Sequence, residues 1–170
     1  MTEAWNNAVK FNLNIVTPPS LFLPTTGPKI FLAGRIDKDT DPHWRERTID
    51  YVNTGWFQKS QEDITFYNPR RDNGWDNGWQ VEQVAWNIQN LEISDYIIMH
   101  LAEGCGVSPE SLLELGLFMA NPKMYISIDI EHPKRYIAEV HIAKYGFHNL
   151  FSSLEQSIDA IQKDWEKKDK

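Results

Sequence analysis

Apolar residues along the chain fall into short runs separated by polar stretches with helical spacing. Lys29-Ile-Phe-Leu-Ala33 is apolar and stops at Gly34, the pattern of a strand buried on both faces. Asp63-Ile-Thr-Phe-Tyr67 alternates and is closed by Asn68-Pro69, Asp95 to Leu101 is the most apolar run, and Lys123 to Ile128 gives a fourth strand. Phe147 to Phe151 reads as a short fifth. Helical stretches lie between them: Asp41-Pro42 to about Val52, Trp79 to Ile93, Ser108-Pro109 to about Ala120, and the residues after His132-Pro133 to about Tyr145. Two of these open with a capping side chain followed by proline at the first helical position. A final helix follows and ends in charged residues. Strands alternating with helices predict a parallel five-stranded sheet covered on both faces. Residues 1–28, broken by Thr17-Pro18-Pro19 and Pro24, are expected to form an arm, 29–165 one domain and 166–170 a charged tail.

Composition narrows the function classes. A chain of 170 residues holds one domain with an adequate core. Its net charge of −7 argues against binding a nucleic acid polymer or an anionic membrane, while leaving room for a local phosphate pocket. One cysteine, Cys105, forms neither an internal disulfide nor a multi-cysteine metal site, so a reducing cytoplasm is the expectation. No apolar run approaches the length of a membrane span. Seven tryptophans are costly to expose, so some are expected to line a pocket or an interface.

In open parallel sheets, ligands sit beyond the carboxyl ends of the strands, which directs attention to the residues just after each strand. Gly34 permits close approach of a ligand to the backbone, and Arg35 is placed to hold a phosphate or carboxylate; the alternative is a plain turn with a solvated arginine. Asn68-Pro-Arg-Arg-Asp-Asn-Gly-Trp-Asp76 is dense in hydrogen-bonding groups and ring surface. With Arg70, Trp75 and Asp76 it is either a clamp for a planar polar ligand or a loop of turns. Ser108, Pro109 and Glu110 open a helix that carries Ser111 and, in its second turn, Glu114. On a helical wheel Leu112, Leu115, Gly116 and Met119 share a face assigned to the sheet, with Glu114 opposite, between Leu117 and Phe118. Apolar residues nearly all round predict burial on both sides, the outer one by a second subunit. Glu114 is then either a desolvated, functional carboxylate or a surface residue paired with a lysine. Glu82, Gln83, Trp86, Asn87 and Asn90 group on the preceding helix, either toward a ligand or as the side of an amphipathic surface helix. The histidines lack metal-ligand spacing, and no metal or cofactor is expected.

Taken in order, Ile-Phe-Leu-Ala-Gly34, Tyr-Asn-Pro-Arg-Arg71, Glu82-Gln-Val-Ala-Trp86, Leu-Glu-Ile-Ser-Asp95 and Ser108-Pro-Glu-Ser-Leu-Leu-Glu-Leu-Gly116 resemble the nucleoside 2-deoxyribosyltransferase-like family over about residues 29–160. The resemblance implies a flavodoxin-like (Rossmann-like) three-layer α/β sandwich, a homodimer or higher homo-oligomer, and a small nucleoside or nucleotide as substrate. It implies cleavage or exchange of an N-glycosidic bond, with Glu114 as nucleophile, through a covalent glycosyl-enzyme. Gly34 matches the loop that approaches the sugar. Asn87 stands where family members often carry an acid that handles the base, and Ser108 stands near an aspartate position. The alternatives are a nucleotide N-glycosidase that only hydrolyses, and a non-catalytic nucleotide-binding sensor on the same fold.

Overall fold

The computed structural model describes residues 11–20, 25–35, 44–60, 62–70, 80–102, 108–145 and 149–168. Six strands form one sheet: β1 (Leu13–Val16), β2 (Lys29–Ala33), β3 (Ile64–Tyr67), β4 (Tyr96–Leu101), β5 (Met124–Ile128) and β6 (Leu150–Phe151). Their spatial order is β1-β3-β2-β4-β5-β6, and every pairing is parallel. The central strands read as unbroken apolar runs because each feeds two cores, one residue to either face in turn. Ile30, Leu32, Ile64, Phe66, Tyr96 and Ile98 join one core. Phe31, Ala33, Tyr67, Ile97 and Met99 join the other.

Helices cover both faces. The first core is closed by α1 (Trp44–Val52) and α6 (Leu154–Lys168), through Trp44, Val52, Ile158 and Ile161. The second is closed by α3 (Gln80–Ile93), α4 (Pro109–Phe118) and α5 (Arg135–Tyr145), through Trp86, Leu91, Leu115 and Ile142. After β2 the chain winds outward to β3, then returns across β2 to β4. The order thus reverses between β2 and β4, and a crevice opens there at the carboxyl ends. Among the described residues, no helix is long and apolar enough to cross a membrane.

Two sequence expectations need correction. The sheet has six strands rather than five, because Leu13–Val16, expected in the arm, pairs with β3 in register Leu13 to Ile64 through Val16 to Tyr67. A four-residue edge strand followed by prolines leaves almost no pattern to read. The helix expected to end near Val52 runs on through a π-helical segment (Asn53–Phe57) and α2 (Gln58–Ser60). Its buried stripe of Trp44, Thr48, Val52 and Trp56 recurs every fourth residue. At about 3.6 residues a turn that stripe would drift off the core, and the wider turn holds Trp56 against it. The start expected at Asp41-Pro42 lies outside the described residues. The final helix ends in charged residues, α6 running to Lys168. It is clasped to the amino-terminal rim of the sheet: Trp165 Nε1 donates to Glu62 at 2.6 Å, and Lys168 Nζ donates to the Tyr96 hydroxyl at 3.1 Å.

Candidate active site

The crevice is framed by a residue that tolerates no side chain. Gly34 follows β2 with φ +141°, and a β-carbon there would lie 2.6 Å from the His100 carbonyl oxygen of β4 and 3.2 Å from the Trp44 ring. Both the dihedral and the neighbouring strand therefore demand glycine. The backbone leaving β2 is gripped by Arg45, which is wholly buried. Its guanidinium donates to the carbonyls of Gly34 at 2.8 Å, Arg35 at 3.2 Å and Leu32 at 3.4 Å, and lies over the Trp44 ring at 4.2 Å. A fixed positive charge is thereby set under the crevice.

The opposite wall is the start of α4. Ser108 is its N-cap, accepting from the Ser111 N–H at 3.1 Å, with Pro109 at the first helical position. The two hydroxyls of Ser108 and Ser111 are 2.9 Å apart. This cap sets the helical phase. Ser111 and Leu115 turn inward, Glu114 turns toward α3, and Leu112 and Gly116 are exposed. The wheel expectation is thus rotated: Leu112 and Gly116 border a cleft of about 300 Å³ against α5 instead of packing on the sheet, and Glu114 is not opposite the buried face.

Glu114 lines a cavity of about 530 Å³ between α3 and α4, with Asn87, Ile88, Leu91, Glu110 and Phe118 among its walls. Burial pushes its carboxyl up to about 7, against the pull of the Arg45 charge and a hydrogen bond from Asn87, and with a further upward push from Glu110. Gln83, on the same face of α3, donates through Nε2 to Asn87 Oδ1 at 2.8 Å and to the Pro69 carbonyl at 3.3 Å. Since Asn87 Oδ1 accepts from Gln83, the group it turns to the carboxylate is its N–H.

The structure therefore brings Gln83, Asn87 and Glu114 together, with Gly34 joined to them through Arg45. Arg35 contributes a carbonyl to Arg45. Arg70 forms an ion pair with Glu46 at 3.3 Å on the outside of α1. Trp75 and Asp76 lie outside the described residues. Trp86 is a core residue, donating to the Ser20 carbonyl at 2.9 Å. Sequence reasoning missed Arg45; the available signal was an arginine between Trp44 and Thr48 on the face that α1 buries. It also missed His100, whose Nδ1 lies 2.8 Å from Ser127 Oγ. Burial pulls that imidazole down to about 4, opposed by Asp129, so it is neutral at pH 7.

A sequence model of the family described as nucleoside 2-deoxyribosyltransferase like matches residues 27–131, more than half of the chain. The chain belongs to the nucleoside 2-deoxyribosyltransferase-like family. Membership points to glycosyl transfer on small nucleosides as the general chemistry. The matched stretch runs from just before β2 to just after β5. It includes Gly34, Arg45, Gln83, Asn87 and Glu114, and leaves β1, α5, β6 and α6 outside. No curated protein matches the chain significantly. A solved structure of a conserved protein from Enterococcus faecalis V583 overlaps 84% of this chain and 99% of its own, at 14% identity and a TM-score of 0.44. That overlap is too loose to carry an argument about chemistry.

Proposed function

We propose that this protein breaks the N-glycosidic bond of a (deoxy)nucleoside or nucleotide with Glu114 as nucleophile, and passes the sugar to a second base or to water. The observation that carries this is the Glu114 carboxyl: partly buried, facing a cavity, steadied by an amide N–H and a buried guanidinium. In the reaction, a carboxylate oxygen of Glu114 attacks C1′ while the C1′–N bond breaks and its electron pair leaves with the base. The base takes up a proton, which Asn87 cannot give because an amide is no acid at neutral pH. Water, Asp76 or Glu82 is the source. A second base or water then attacks C1′ and frees Glu114.

Only the ionised carboxylate attacks, so base release rises as pH climbs through about 7. Glu114→Ala is expected to abolish release of free base from a mixed nucleoside and nucleotide panel, read by chromatography, with the circular dichroism spectrum preserved. Undiminished release in that variant removes the proposal.

The second reading is a nucleotide-binding sensor. It is favoured by the amide at Asn87 and the hydroxyl at Ser108, neither of which is an acid. Thermal stabilisation by nucleotides without turnover, even at high protein concentration, would select it.

A homo-oligomer belongs to the same proposal. Val84, Ile88, Leu113 and Leu117 line the Glu114 cavity and are themselves exposed, Leu113 at 68% and Leu117 at 75%. Apolar surface of this kind marks an association face, and a second copy laid on α3 and α4 closes the outer wall of the cavity.

A further inference from the structure

We propose that Gln83 is a positioning residue: it locks the Asn87 side-chain amide so that its N–H, and not its carbonyl, faces Glu114. The inference rests on the reading of Glu114 as nucleophile and adds a residue that acts on it through another. A primary amide is nearly symmetric in shape and opposite in polarity at its two ends, so Asn87 alone fits beside Glu114 either way round. One orientation supports a carboxylate and the other repels it.

The polarity is decided two residues away, by a backbone atom. The Pro69 carbonyl, just past β3, can only accept. It receives one Nε2–H of Gln83 at 3.3 Å, and the same nitrogen donates to Asn87 Oδ1 at 2.8 Å. Reversing the Gln83 amide would set its oxygen against the Pro69 carbonyl, whichever way round Asn87 lay. Gln83 therefore has one orientation, Asn87 inherits one, and the N–H of Asn87 is left for Glu114. The pair stands one turn apart on α3, so the helix holds their spacing. Gln83 is only 4% exposed, and its Oε1 is buried without a hydrogen-bond partner among the described residues. Its donor end makes the hydrogen bonds to both Pro69 and Asn87, so the N–H groups set its orientation. Among the described residues, the charged groups acting on Glu114 are Arg45 from α1, which favours the carboxylate, and Glu110 from α4, which opposes it. Glu92 of α3 lines the same cavity. The relay decides which way the uncharged neighbour tips that balance.

The test is a direct titration of the Glu114 carboxyl by carbon-13 NMR, assigned with Glu114→Gln, alongside the acid limb of base release. Losing the amide donor in Asn87→Ala should raise the midpoint by about one pH unit. Gln83→Met should raise it in the same direction, and the double variant no further than Asn87→Ala alone. In the wild type, the side-chain amide signals of both Asn87 and Gln83 should shift with the same midpoint as Glu114, which tests the relay even if Gln83→Met fails to fold. Amide signals indifferent to Glu114, an unmoved midpoint in Gln83→Met, or additive shifts in the double variant would overturn the proposal. A wild type that releases no base from any substrate ends the nucleophile reading instead, and leaves the relay to stand or fall on the titration.

Discussion

Replacing Gly34 by alanine adds a single methyl group where β2 and β4 come closest. A β-carbon-bearing residue loses ~1–2 kcal/mol in a left-handed conformation, and Gly34 sits at φ +141°. The methyl group would also stand 2.6 Å from the His100 carbonyl oxygen, a contact with backbone that no side-chain rotation relieves. Forcing extra volume into packed structure costs roughly 1–3 kcal/mol. Together the loss is about 2–5 kcal/mol, a large part of the ~5–15 kcal/mol that holds a typical domain folded. Urea denaturation followed by tryptophan fluorescence measures it, with Gly55→Ala and Gly116→Ala as controls. A β-carbon at either control position meets nothing within 4 Å, and both lie in helical segments, where alanine gains roughly 0.5–1 kcal/mol over glycine. Any of the Gly34→Ala protein that folds should also show a higher acid limb, because the Gly34 carbonyl accepts from Arg45 at 2.8 Å, closer than the Arg35 and Leu32 carbonyls. A Gly34→Ala protein as stable as wild type would refute the close-approach argument; equal losses at all three positions would refute the distinction between them.

Three further outcomes follow from the site. The Glu114 carboxyl titrates near 7 in the folded protein, above its ordinary 4.5. The contribution of Glu114 to stability should therefore be full below about pH 4.5 and be lost as pH rises through 7, so Glu114→Gln, compared with wild type, should remove a decline on the order of 2–3 kcal/mol by pH 8 in urea titrations. Arg45→Met leaves three carbonyls without their guanidinium donor and removes the cation near Glu114; loss of more than about 2 kcal/mol and an acid limb moved to higher pH are expected, read by denaturation and by the rate profile. Leu117→Glu places charge on the exposed α4 face and should shift sedimentation toward single chains, with the circular dichroism spectrum kept.

The alternation of strands and helices was legible because the central strands are buried on both faces and therefore apolar throughout. Leu13–Val16 was not, since it is a strand of four residues and Thr17-Pro18-Pro19 erases the boundary. Glu114 stood out because a carboxylate among leucines is unusual, yet its direction was misjudged. Helical periodicity alone cannot set the phase of a helix that is apolar nearly all round; the Ser108 cap does so through a hydrogen bond that depends on where the chain enters. Gln83 and Asn87 were legible as a pair by spacing, but their polarity was not, because it is fixed by the Pro69 carbonyl, distant along the chain. Arg45 was the hardest to see: main-chain oxygens of Leu32, Gly34 and Arg35 accept from its guanidinium, and a carbonyl carries no residue type to recognise in the sequence.

The clasp at Tyr96, Lys168, Trp165 and Glu62 lies where strands begin, whereas Gly34, Asn87 and Glu114 gather where strands finish. Robustness and reactivity thus occupy opposite poles of one slab. Engineering that tightens the former pole, for instance by shielding the Trp165–Glu62 bond from water, should harden this scaffold against heat while turnover and selectivity at the latter go untouched.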